Sequence, residues 1–142
     1  YGLWQDIKSD VLPQQTVLES TGAIELPRGR GGHFRVTVEI NGVPTELLVD
    51  TGASDLVLSL RDAERAGIDT DNIVFTGQAQ TANGIVRTAF TRLDEISVGP
   101  LIFNNVGASI NQGDLDTSLL GMSFLDRFER IEIRGDRMIL TP

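Results

Sequence analysis

Phe34, Val36, Val38 and Ile40 alternate with Arg35, Thr37 and Glu39, and this two-residue period marks a strand with one face in a core. Asn41-Gly42 follows, a pair that tolerates positive φ, so the chain is expected to turn back at once. The return strand covers residues 45–49 and ends at Asp50, and a short strand over 56–58 comes after a small-residue turn. Ser59-Leu60-Arg61-Asp62 reads as a capping box that opens a helix of about two turns, with Gly67 closing it. A second Asn-Gly pair, Asn83-Gly84, separates residues 78–82 from 85–90, and their polar and β-branched positions suit a projecting hairpin. Further strands are predicted over 93–98, 101–108, 130–133 and 138–140, and only residues 122–128 have helical spacing. Upstream, an early strand is expected within 16–25. The Pro-Arg-Gly-Arg-Gly-Gly stretch at 27–32 reads as a flexible turn with solvated arginines. Leu3, Ile7 and Val11 precede Pro13 at four-residue spacing, too short a run to establish a helix. Residues 1–15 are therefore read as a tether, with a propeptide or interfacial segment as the functional alternative, and residues 16–142 as one mostly β domain.

Composition narrows the chemistry. A chain of 142 residues fits one core. Its net charge of -8 repels phosphate backbones, so nucleic acid is a poor partner. The absence of cysteine excludes disulfides and thiolate chemistry. His33 is the sole histidine, which leaves little room for a Ser-His-Asp site or a zinc site, and no metal or cofactor is expected. No apolar run of about 18 residues occurs, so a membrane tether is expected only from a segment upstream of Tyr1.

The chemistry concentrates at Asp50-Thr51-Gly52-Ala53, which lies between the apolar runs Leu47-Leu48-Val49 and Leu56-Val57-Leu58. A carboxylate there must be well hydrogen-bonded or partly protonated, because burying a bare charge is costly. Two readings stay open on this segment alone. In one, Asp50 forms an Asx turn, Thr51 caps it and Gly52 supplies φ > 0; in the other, Asp50 is a catalytic acid or base.

A second element, Leu119-Leu120-Gly121 running into Met122-Ser123-Phe124-Leu125, separates them. With it the sequence resembles the retropepsin-type aspartic proteases, most closely the bacterial single-domain retropepsin-like family. The resemblance covers residues 32–141 in order: Gly32-His33-Phe34, Asn41-Gly42, the Asp50 segment, Thr81-Ala82-Asn83-Gly84 and Leu119 to Leu125. It implies a closed, retropepsin-like β-barrel with one or two short helices and a flap hairpin. It also implies an aspartic endopeptidase that acts without cofactors on an extended peptide or protein substrate. Asp-Thr-Gly occurs once, so the second carboxyl would come from Asp50 of another copy in a homodimer. Asp116-Thr117-Ser118 is a poor internal substitute, because it lacks the glycine and precedes rather than follows an apolar strand.

By the same resemblance Thr51 locks the two loops together, Gly52 lets backbone approach the carboxylates, and Leu119, Leu120 and Gly121 support the loop. Thr81, Ala82, Asn83 and Gly84 form the flap over the substrate. Ala53 stands where relatives with serine donate a hydrogen bond to the ionised dyad, which implies a less acidic pH optimum here. Two departures qualify the comparison. The flap tip lacks the glycines of viral flaps and the tyrosine of pepsin-like ones, and Met122-Ser123 replaces the Arg-Asn that braces viral dimers. The family resemblance further implies a periplasmic domain anchored to the inner membrane through the upstream segment. Competing accounts are a catalytically silent peptide-binding or dimerisation module of the same fold, and a plain structural barrel.

Overall fold

A computed structural model describes residues 15–18, 20–81 and 84–142. The proposed tether therefore lies, but for Gln15, outside the described residues. The strands are β1 (Thr16–Val17), β2 (Ile24–Pro27), β3 (Arg35–Ile40), β4 (Val43–Val49), β5 (Val57–Ser59), β6 (Gly77–Thr81), β7 (Gly84–Val98), β8 (Leu101–Asn111), β9 (Ser118–Leu120), β10 (Arg130–Arg134) and β11 (Arg137–Thr141). Two short helices, α1 (Leu60–Arg65) and α2 (Met122–Leu125), follow β5 and β9.

The larger sheet has the order β3-β4-β9-β5-β8-β7-β6, and β3 also pairs with β7. Six strands thus close into a ring, with β6 attached to the outside of β7 as an edge. Closure leaves few unpaired backbone groups inside, which is how a small β protein hides its edges. Two pairings in the ring are parallel, β4 with β9 and β5 with β8. The second sheet, β1-β2-β11-β10, packs against the ring through a shared apolar core that runs from Ile24 and Leu26 to Met138 and Leu140. Phe103, Phe124 and Phe128 meet edge to face with centroids 5.0 to 6.0 Å apart, which pins α2 to β8.

The first hairpin forms as its alternation predicts. Val36, Val38 and Ile40 are buried, the residues between them are exposed, and Asn41 and Gly42 take φ of 50° and 82°. Asn41 is also tied in by its side chain, which donates to the Ala66 carbonyl and accepts from the Glu95 amide.

Elsewhere the structure revises the sequence reading. The early strand over 16–25 is a hairpin, β1 with β2, broken at Gly22, whose φ is 72°. The separate strands expected over 85–90 and 93–98 are one fifteen-residue strand, β7. Its burial phase shifts between Leu93 and Ile96, opposite Asn105, whose φ is 55°; the ribbon changes faces there, and a strict two-residue pattern reads the shift as a gap. The helical stretch over 122–128 shortens to Met122–Leu125. In the second Asn-Gly hairpin Thr81 pairs with Gly84, so the strands close on either side of residues 82 and 83 and Gly84 belongs to β7. Arg28 is more than a solvated charge. Its guanidinium lies 4.4 Å from the Phe34 ring centroid and donates to the carbonyls of Gly32 and Gly135, joining the two sheets.

Candidate active site around Asp50

β4 delivers Asp50 to the end of the ring. The Val49 amide donates to Phe34 O at 2.9 Å and the Asp50 amide to Leu120 O at 3.1 Å, so the backbone on both sides of the carboxylate is held by neighbouring strands. The chain then turns tightly. The Gly52 amide donates to Asp50 Oδ1 at 2.9 Å and the Ala53 amide to Asp50 O at 3.1 Å, which is the Asx turn of the first reading. Gly52 does not take the positive φ expected of it there, because the turn closes without one. The two readings are compatible, because the turn occupies one carboxylate oxygen and leaves Oδ2 without a partner among the described residues. Asp50 and Ala53 are half-buried, and Thr51 and Gly52 are exposed. Thr51 makes no side-chain bond within the described chain. A Cβ on Gly52 would meet Asp50 Oδ1 at 3.2 Å, so glycine keeps the turn compact.

The Leu119-Leu120-Gly121 segment supports the loop from behind. β9 inserts between β4 and β5, with Leu48 opposite Leu119 and Val57 opposite Leu119 on the other side. A side chain on Gly121 would collide with the Asp55 carbonyl and stand 2.8 Å from Ala53 O, so only glycine allows this approach. The first two amides of α2 then serve the loop: Met122 N donates to Ala53 O at 2.9 Å and Ser123 N to Ser54 O at 2.8 Å. Helix-end donors that otherwise need a side-chain cap are satisfied by the carbonyls of the Asp50 loop.

One structural support escapes a reading by motif. Ser59 caps α1 as predicted, its Oγ accepting from Asp62 N at 3.1 Å. The return bond of a capping box does not form directly. The Ser59 amide donates to Ser118 Oγ at 2.9 Å, and Ser118 Oγ donates to Asp62 Oδ2 at 2.6 Å. Ser118 is wholly buried, so this relay ties β9 to β5 and α1 from inside. Its sequence signal is a single serine opening an apolar strand, too little to predict the link. Asp116, the internal substitute considered above, makes no bond to the Asp50 loop.

At the hairpin, Thr81 Oγ1 donates to Gly84 O at 2.7 Å and Ile85 is exposed. Ala82 and Asn83 lie outside the described residues. Beside the Asp50 loop, Asp55, Phe90, Gly107 and Arg127 border a cleft of about 140 Å³. No group of three or more acidic or histidine side chains suited to a metal ion occurs among the described residues.

Comparison with known proteins fits this geometry. Residues 36–127 match the family model of the gag-polyprotein aspartyl proteases. An uncharacterized protein from the cobV 5′ region of a Sinorhizobium species is 42% identical over 123 residues, which are 86% of this chain and 53% of that protein. The chain thus spans about half the length of the curated relatives it matches. The crystal structure of a retropepsin-like aspartic protease from Rickettsia conorii superposes with a TM-score of 0.78 at 40% identity, covering 84% of this chain and 98% of that one. The EIAV protease in complex with the inhibitor HBY-793 shares the fold at 21% identity, with a TM-score of 0.58 over 70% of this chain and 90% of that one.

Proposed function

This chain belongs to the retropepsin-like aspartic protease family and has its mostly β fold, and from that premise we propose that it is an endopeptidase whose active unit is a homodimer with Asp50 from each copy. The observation that carries the proposal is the Asp50 carboxylate itself. One oxygen is fixed by the Gly52 amide, the other is open, and the end of β4 that presents them is braced by Phe34, β9 and α2. A single carboxylate cannot do both halves of the reaction. One carboxylate takes a proton from water as its oxygen bonds to the scissile carbonyl carbon, and a protonated carboxyl gives its proton to the departing amide nitrogen as the C–N bond breaks. Two Asp50 side chains sharing one proton supply both roles without a metal. The substrate would lie as an added strand, held by main-chain hydrogen bonds, with the β6–β7 hairpin closing over it as a flap that excludes water. Exposed Thr51 would then bond across the two-fold axis.

Cleavage of casein by wild type and Asp50→Asn, across enzyme concentrations and between about pH 4 and 7, tests this reading. Activity should rise faster than linearly with enzyme at low concentration and vanish in the variant, while the variant still dimerises. Equal cleavage by both proteins would remove Asp50 from the chemistry. An unchanged capacity to bind peptides, with no cleavage by either protein, would favour the silent module.

A further inference from the structure

Phe90 stands on the side of β7 that faces solvent. Ala89 and Leu93 are buried in the ring, whereas Phe90 is 68% exposed and Arg92 shares its outer face. Gly107, between buried Val106 and Ala108, occupies the outer face of β8 opposite Arg92. A Cβ on Gly107 would come within 3.0 Å of Phe90 Cζ, so its absence gives the ring a bed on the strand. The Arg92 guanidinium lies 5.6 Å from the ring centroid and donates to Asn105 O. The bed explains where the ring rests, and most of its surface still meets water.

The ring walls the cleft of about 140 Å³ beside the Asp50 loop, together with Asp55, Ser123 and Arg127. All three residues are exposed, and none of their side chains has a partner among the described residues. Other arginines of this chain do pair: Arg28, Arg35, Arg65, Arg130, Arg134 and Arg137 each meet a carboxylate. Arg127 and Asp55 share a cleft and make no ion pair with each other. A guanidinium, a hydroxyl and a carboxylate left free around an aromatic wall match the two polar ends and the side chain of one amino-acid residue.

We propose that this cleft binds the C-terminal residue of a peptide. Arg127 and Ser123 donate to its α-carboxylate, its amide donates to the Asp55 carboxylate, and its apolar or aromatic side chain lies on Phe90. The planar guanidinium suits a carboxylate because it can bond both oxygens at once, and an aromatic side chain gains from an offset or edge contact with the ring. At about 140 Å³ the space takes one ring-sized side chain, close to a cavity that holds benzene, and not a run of residues. Chain ends of this kind are what peptide hydrolysis makes, since the carbonyl carbon keeps the oxygen of water as the C–N bond breaks. The source of the ligand therefore rests on the protease reading, although its binding does not. The Ser123 amide donates to Ser54 O at 2.8 Å, and Asp55 is the next residue. A chain end held by Asp55 and Arg127 thus ties the segment leaving the Asp50 loop to the turn after α2.

Titration of the full chain with N-acetylphenylalanine, followed by amide resonances in nitrogen-15 spectra, tests the site. The signals of Phe90, Gly107, Ser123 and Arg127 should shift together and saturate with a Kd of about 1 mM, the strength a ligand of this size can reach. Phe90→Ala and Arg127→Gln alter exposed side chains, so both should fold, and each should weaken binding at least about tenfold. Asp50→Asn should bind as wild type does, because Asp50 takes no part in the cleft. Phenylalaninamide, which lacks the carboxylate, should bind at least about tenfold more weakly than N-acetylphenylalanine. No saturable shift at these residues, or equal binding of the amide, overturns the proposal. Binding of free phenylalanine without the acetylated form also overturns it, since that outcome makes the ligand a free amino acid and not a chain end. Casein cleavage separates the two readings. Saturable binding by a protein that cleaves nothing keeps the site and refutes the protease, whereas cleavage by a protein with no saturable shift refutes the site alone.

Discussion

Replacing Ser118 by alanine should cost the fold far more than the loss of one surface hydroxyl. Two partners lose their bonds. The Ser59 amide, on a residue 4% exposed, is left without an acceptor, which costs about 1.5 kcal/mol. Asp62 Oδ2 loses a short hydrogen bond from a neutral donor, worth about 1.5 kcal/mol and only partly replaced by water, because that side chain is 14% exposed. The cap from Ser59 Oγ to Asp62 N remains. The total is about 3 kcal/mol, equivalent to a fall in Tm of roughly 10 °C for a chain of this size. Urea unfolding should show the loss as a lower midpoint with an unchanged slope. A double-mutant cycle with Asp62→Ala should return a coupling of at least about 1 kcal/mol. A loss below about 1 kcal/mol for Ser118→Ala, or additive effects in the cycle, would refute the relay.

Three further outcomes follow from the geometry. Gly121→Ala forces a methyl onto the backbone carbonyls of Asp55 and Ala53, which cannot both retreat, so it should cost at least about 3 kcal/mol and give little folded protein by circular dichroism. Asn41→Gly keeps the left-handed turn and loses two side-chain hydrogen bonds, for about 1 kcal/mol, and Asn41→Ala adds backbone strain for about 2 kcal/mol in all; thermal unfolding should rank them in that order. Ala53→Ser should move the pH-rate maximum for peptide cleavage downward, and a wild-type maximum already below about pH 3.5 would contradict the role given to this position.

How much of this was legible in the sequence depended on whether the determinants were local. The β3–β4 hairpin is specified within ten residues by alternation and by Asn41-Gly42, and it forms as read. The same holds for the Ser59 cap and for Gly67, whose φ is 88°. The Asp50 turn was legible too, because an aspartate, a small residue and a glycine bend the chain by themselves. What the pattern misread was set by distant neighbours. β7 runs through Asp94 because β8 pairs with it on both sides of that point, a contact that no local window contains. The early strand breaks because β11 claims only Ile24 to Pro27. Ser118 became structural only once β9 had been inserted beside β5.

The parallel pairing of β4 with β9 also has a consequence for the order in which the molecule can be made. Leu47, Leu48 and Val49 meet Ser118, Leu119 and Leu120, and apart from the loop's own turn and the Val49–Phe34 hydrogen bond, the braces of the Asp50 loop come from that late segment or from α2 behind it. Contacts so distant in sequence form slowly and after local ones. Until residues 118–123 have been added to the growing chain, the Asp50 loop lacks the floor beneath it, and its own turn is what orients the carboxylate. A copy that stops short of Ser118 carries the Asp-Thr-Gly sequence without this support, so the geometry of the loop is complete only once β9 and α2 have been made.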